Sequence, residues 1–321
     1  MTSAFVSGTR YGQRMHIALV FFLIVALLPL HPAQAVNQPL ALAIIDTGFD
    51  TSIPVVKKAV AHEVCILDWS MCPNGDSTQE GIGSAGISDM TFIHGGISHG
   101  TQMVSIAVES NPGQKLVLIK LIAYNSRGQR LPVYDGAIVR AFRWVLEHKS
   151  EFNIGAVAMA QGHHSLLSAP TYCPKNLELE KLISQLKAIN IPVFFPAGNS
   201  ADKLRVDWPA CIPAAMSIGA VDKDGSIARY SNYDRNLHDF YAHGYASALL
   251  PGGVRTVATG TSVSTIIAAS YWMHVVQLRP DLAFSEVMQL FRSTGSIIFD
   301  SKFRYGRKIE LESALQTLKQ R

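Results

Sequence analysis

The sequence predicts an α/β fold: a mostly parallel sheet with helices on both faces. Three observations carry this. Short apolar runs of strand length alternate with amphipathic stretches of helical period. The apolar runs are continuous instead of alternating with polar residues, the pattern of strands buried on both faces. No repeat, low-complexity tract or Pro/Ser/Gly linker divides the chain after its first 35 residues.

The elements follow in order. Residues 40–45 read as a buried strand that ends at Asp46, and 116–122 as another. A helical stretch covers 101–108. A helix over 134–149 places Ile138, Phe142, Val145 and Leu146 on one face. Residues 154–160 read as a strand, followed by a helix over 176–189 with Leu179, Leu182, Ile183 and Leu186 inward. Strands at 191–195 and 216–221 come next. A small-residue helix begins near Ser262, and two more cover 285–291 and 310–318. In an open parallel sheet of this kind the ligand site lies beyond the carboxyl ends of the strands. Functional groups are therefore expected just after these runs.

Composition narrows the class. Hydrophobic residues make up 48% and charged residues 16% of 321, enough for a large core and too little charge for a disordered chain. The net charge of +4 includes no basic run, so a nucleic-acid partner is not expected. The first segment has the build of a secretory signal: Arg10 and Arg14, then a fourteen-residue apolar run over 17–30, then Ala33-Gln34-Ala35. A retained anchor is the rival reading, but the run is short of the roughly 20 residues a spanning helix needs. The expected division is a signal peptide over 1–35 and one domain over 36–321, with a membrane contact only through the uncleaved signal. Cleavage after Ala35 leaves 286 residues with a net charge of +2. The product is exported, to a periplasm or to the medium.

Export gives the four cysteines, Cys65, Cys72, Cys173 and Cys211, an oxidising setting. Three pairings are open; Cys65–Cys72 with Cys173–Cys211 is preferred because the first pair is close in sequence. A zinc site lacks the usual Cys/His spacing. Four buried thiols is the plainer alternative.

Four short blocks sit where a parallel sheet puts its ligands. Asp46-Thr47-Gly48 follows the first strand. Ser98-His99-Gly100-Thr101 opens a helical stretch. Phe194 to Asn199 runs a strand into a Gly-Asn turn, and Gly260-Thr261-Ser262 opens the small-residue helix. Singly, each has a bland reading: Asp46 as a cap or turn former with Asp50 as rival, His99 as a loop histidine with His94 as rival, Asn199 as a turn residue, Ser262 as an N-cap. Together they supply an acid, a base, an amide donor and a nucleophile. Acyl transfer needs a donor at the developing oxyanion, and losing one costs on the order of 10²–10³ in rate.

With these blocks the chain resembles the subtilisin-like serine proteases (subtilases), whose triad runs Asp, His, Ser along the chain. The resemblance covers essentially the whole mature chain, including residues 211–221 after the oxyanion loop and the closing 305–318. It implies a subtilisin-like fold and one role for each residue. Ser262 is the nucleophile, His99 takes and returns its proton, and Asp46 orients the imidazole and stabilises the imidazolium. Asn199 and the Ser262 N–H form the oxyanion hole. Ala160-Gln161-Gly162 stands where the family has Ser-Leu-Gly and pairs with the substrate backbone. No cofactor is needed for the chemistry. The family often holds structural calcium, but no EF-hand-like acidic loop marks a site here. His163-His164 is an unsuitable metal pair, because neighbours on a strand point to opposite sides.

The sequence departs from the family at four places. Ile266 replaces the usual proline after the serine. Gln161 is polar where many members are apolar. No acid marks the primary pocket, which suggests a neutral or apolar residue before the scissile bond. Only about ten residues separate the expected cleavage site from Asp46, leaving no room for the usual folding prodomain; a separate chaperone or inhibitor would then supply its role. The reading is an exported serine endopeptidase acting on polypeptides through an acyl-enzyme, monomeric as the family usually is. The alternative is a weakly active or non-catalytic subtilase domain that binds peptide segments. A general serine esterase fits less well, because its acid and histidine follow the serine and no G-x-S-x-G elbow surrounds Ser262.

Overall fold

The computed structural model describes residues 39–68, 71–87, 99–125, 127–163, 173–234, 239–299 and 305–320. Residues 1–35, expected as a signal, and His94, Ser98 and His164 lie outside the described residues. Among the described residues no helix is long and apolar enough to cross a membrane.

β1 (Ala41–Asp46) lies inside a ten-stranded sheet. α1 (Pro54–Ala59), β2 (Val60–Ile66) and β3 (Thr78–Glu80) come next, then α2 (His99–Ser110) and β4 (Lys115–Lys120). α3 (Asp135–His148), β5 (Ile154–Met159), α4 (Leu177–Ala188), β6 (Val193–Pro196), β7 (Met216–Val221) and β8 (Phe240–His243) extend the sheet on the other side of β1. A hairpin of β9 (Tyr245–Leu249) and β10 (Arg255–Thr259) leads into α5 (Thr261–Leu278). The last elements are α6 (Phe284–Thr294), β11 (Ser296–Phe299), β12 (Tyr305–Lys308) and α7 (Leu311–Lys319).

The strand order is β11-β12-β8-β7-β6-β5-β1-β4-β2-β3. Within this sheet, among the described residues, only the edge strands β3 and β11 pair antiparallel. The order reverses at β1, which pairs with β4 on one side and β5 on the other. That reversal opens a crevice at the carboxyl end of β1, the place where open parallel sheets bind their ligands.

Continuous apolar strands serve two cores. Leu42, Ile44, Leu116 and Leu118 pack on the face covered by α2, α5 and α6. Ala43, Ile45, Val117 and Ile119 face α3 and α4. Each fully buried Leu, Ile or Val contributes about 1.5–3 kcal/mol against exposure. α5 is the helix with the most to bury: Val263, Ile266, Ile267, Trp272 and Met273 are all sealed. A helix apolar on every side belongs inside a fold, not on its surface. Ile266, where the family's proline is expected, is one of these core side chains.

The expected strands and helices sit within a few residues of those observed. The strand expected over 116–122 ends at Lys120; the Leu121 N–H still donates to Asp46 O at 2.8 Å, the last bond of the β1–β4 ladder. α1, β2, β3 and β8 to β11 had no counterpart in the sequence reading. In β2 the polar pair His62-Glu63 follows Val60-Ala61, β9 is half-buried and holds Ser247, and β10 is mostly exposed, so none of the three carries a continuous apolar run. Disulfides join Cys65 to Cys72 and Cys173 to Cys211, the pairing preferred from the sequence.

One carboxylate is placed at a cost. Asp239, just before β8, accepts the Ser217 N–H at 2.9 Å. Burial pushes its pKa up to about 6, with the Ser217 bond and the charges of Lys187 and Arg292 only partly offsetting that. A folded pKa above the unfolded one stabilises the fold at low pH, and that contribution is lost as pH rises toward 6. Asp239→Asn keeps an acceptor for Ser217 and removes the charge. Its melting temperature relative to the native chain should therefore rise between pH 4 and pH 7. A constant difference over that range, in thermal melts, would refute this account.

Candidate active site

The site is built around Asp46, the last residue of β1 and fully buried. A carboxylate without water needs donors, or its charge costs several kcal/mol. Its Oδ1 accepts the Thr47 N–H at 2.7 Å. His99 Nδ1 lies 2.8 and 2.9 Å from the two carboxylate oxygens. The charge and hydrogen bond fix which nitrogen carries the proton: Nδ1 donates to Asp46, and Nε2 is left to accept.

His99 is delivered by the first turn of α2, and two devices dock that turn on β1. Gly100 N–H donates to Thr47 Oγ1 at 2.8 Å, and Asp50 N–H donates to Thr101 Oγ1 at 3.0 Å. Gly100 also lies so close to β1 that a Cβ there would sit 2.7 Å from Gly48 O and 2.8 Å from Thr47 O. Any side chain at 100 would push His99 off the carboxylate. Burial works against the His99 imidazolium, but the Asp46 charge and hydrogen bond outweigh it and raise the pKa; Arg130 opposes weakly.

Ser262 sits in the first turn of α5, where the helix dipole favours negative charge. Its Oγ donates to Ala160 O at 2.9 Å. Ala160 follows β5, and its neighbour Gln161 reaches the other half of the site: Gln161 Nε2 is 2.9 Å from Asp46 Oδ1 and 2.8 Å from His99 Nδ1. Gly162 lies against the 208 backbone, where a Cβ would meet Trp208 O at 3.0 Å.

Asn199 follows β6. Its Oδ1 accepts both the Thr261 N–H and the Thr261 hydroxyl, each at 2.9 Å. With the carbonyl end so anchored, the amide nitrogen has no hydrogen-bond partner among the described residues and lies beside Gly260. The loop is held from behind. Asn232 Nδ2 donates to Asp207 Oδ1 at 2.8 Å, and Asn232 Oδ1 accepts the N–H groups of Ser200 and Asp202. Gly198 crosses this clamp at φ +108°.

The structure thus gathers Asp46, His99, Ser262, Asn199 and Ala160-Gln161-Gly162 at the carboxyl ends of β1, β5 and β6 and the starts of α2 and α5. Asp50 is set apart: its Oδ1 accepts Ser52 and its Oδ2 accepts the Gly252 N–H at 2.7 Å. His163 pairs its backbone with Trp208, at the wall of a cavity of about 420 Å³ lined also by Leu121, Ile122, Arg130, Met159 and Gln161. Sequence reasoning missed Thr47, Thr261 and the Asn232–Asp207 clamp. The two threonines lie inside the quoted blocks, and their hydroxyls were the signal available.

The subtilase family model matches residues 38–306. A subtilisin from Bacillus subtilis subsp. amylosacchariticus is 24% identical over 301 residues, covering 89% of this chain and 68% of the relative. A subtilisin from Bacillus pumilus is 24% identical and is covered over 94% of its length, again against 89% of this chain. Among solved structures, the protease domain of PatA superposes with a TM-score of 0.66 at 19% identity, over 88% of this chain and 95% of that one.

At Gly198 a side chain would run into Asn232 and Asp207, in a backbone conformation that L-residues rarely adopt. Gly198→Ala should destabilise the fold by about 1–3 kcal/mol, the usual range for overpacking. Thermal denaturation reads this as a fall of several degrees; an unchanged melting temperature would show that the clamp yields.

Proposed function

The chain belongs to the subtilase family and is a serine endopeptidase; from that premise we propose that Asp46, His99, Ser262 and Asn199 are its catalytic machinery and that it works after export. The observation that carries the reading is the His99 Nδ1 contact with both oxygens of a buried Asp46, in the same crevice as a serine at a helix start.

The polypeptide substrate enters extended and pairs its backbone with residues 160–162 as an added strand. That pairing displaces the Ser262 hydroxyl from Ala160 O, which frees it to donate to His99 Nε2. His99 takes the proton as Oγ attacks the scissile carbonyl, and Asp46 stabilises the imidazolium that forms. The oxyanion develops where the Asn199 amide and the Ser262 N–H converge. His99 then returns the proton to the departing amine, leaving an acyl-enzyme that water hydrolyses by the same steps in reverse. The 420 Å³ cavity beside Gln161 takes an apolar substrate side chain.

Export rests on the charged, apolar and small-residue order of segment 1–35 and suits the two disulfides.

A fluorophosphonate probe tests the nucleophile: the native chain should label and cleave casein, and Ser262→Ala should do neither. Labelling that survives the substitution would remove Ser262 from the assignment. Asn199→Leu should lower kcat on the order of 10²–10³-fold with KM little changed, the range known for this donor in subtilisin itself. A loss confined to KM, in steady-state kinetics, would place Asn199 in substrate binding instead.

A further inference from the structure

We propose that Gln161 is a positioning residue that acts through Asp46: its amide shares the carboxylate with His99 and so weakens the hold of Asp46 on the catalytic imidazolium. The inference rests on the triad reading above.

The contact geometry leaves one assignment. The Gln161 atom 2.9 Å from Asp46 Oδ1 is the amide nitrogen, because an amide oxygen there would face a carboxylate oxygen. The same nitrogen lies 2.8 Å from His99 Nδ1. Nδ1 lies 2.8 and 2.9 Å from the Asp46 oxygens, so it must carry a proton; a bare lone pair would be repelled by both. Gln161 Nε2 and His99 Nδ1 are therefore two donors side by side on one acceptor, not a bonded pair. With the Thr47 N–H, three donors converge on Oδ1.

Two consequences follow for the base. The carboxylate charge is divided, so each donor gains less from it. The positive end of the amide dipole also lies beside the ring nitrogen where imidazolium charge appears. Both destabilise protonated His99 relative to a chain with an apolar residue at 161. The remaining charged and titratable neighbours do not change with residue 161. They are Asp46 on β1, and Arg130 and Tyr124 on the segment after β4. Lys120, level with Asp46 on β4, sends its Nζ to Gly86 O. From α5, Ser262 contributes only a hydroxyl. Gln161 thus extends the range in which His99 is an unprotonated base toward lower pH.

The test is a series at one position, read in two ways. In native protein, Gln161→Leu and Gln161→Glu, the acid limb of the pH profile of kcat/KM reports the base in the free enzyme. Leu should move that limb up by about half a unit to one unit, a loss of about three- to tenfold in kcat/KM on the acid side relative to each protein's own plateau. Glu adds a negative charge and should move it further up. The order Gln, Leu, Glu is not one that a loss of packing would produce. The second readout is NMR titration of the His99 ring in a Ser262→Ala background, assigned by His99→Gln, which needs no activity. If Ser262→Ala leaves hydrolysis intact, the triad reading fails while the titration still measures the coupling. Gln161→Met replaces Leu if the latter does not fold. A His99 pKa equal within about 0.2 units in native and Leu (or Met) proteins, or lower in the variant, overturns the proposal.

Discussion

A fully buried carboxylate at the end of the central strand sets the terms for the rest of this site. Asp46 has no water to solvate it, so its charge is tolerable only with donors in place. The chain supplies them from three separate segments: Thr47 N–H from the turn after β1, His99 from α2, and Gln161 from the turn after β5. Each donor must arrive at hydrogen-bond distance, and this dictates the close approach at Gly100 and the paired threonine ties at Thr47 and Thr101. The His99 imidazole is oriented by the same interaction that makes the buried acid tolerable.

The second half of the site obeys a related constraint, with an amide in place of a charge. Asn199 can present its nitrogen because Thr261 takes its oxygen twice. Thr261 is fixed because α5 is a core helix, with twelve of its eighteen residues buried. Gly198, Asn232 and Asp207 brace the loop from the other direction. The halves meet at residues 160–161, where the Ala160 carbonyl holds Ser262 and the Gln161 amide reaches Asp46. Under the proposed function, a substrate strand laid on this segment would touch both halves at once and link binding to the alignment of Ser262 through two adjacent residues.

Much of the fold was legible because its strands are buried on both faces. Runs such as Ala41 to Ile45 and Leu116 to Ile119 have no polar interruption to confuse the period, and the end of the first points directly to Asp46. The edge strands and the β9–β10 hairpin were not legible. They are short or partly exposed, so their apolar pattern is weak; β8, without a counterpart in the sequence as well, has four residues and pairs with β12 more than 60 residues further on. Gln161 was read as a polar side chain facing the substrate. In the fold its amide turns to Asp46, a residue 115 positions away, and no local pattern encodes that choice.

The sequence by itself determined the class of fold, the four blocks of chemistry and the order in which they occur, because each depends on local pattern: apolar continuity, helix starts and turns. Only the tertiary structure decided which donors share Asp46, which end of the Asn199 amide is free, and where the Ser262 hydroxyl rests. Those outcomes are settled by competition among groups far apart in the chain for a few acceptors in a buried crevice, and such competition has no signature along the sequence.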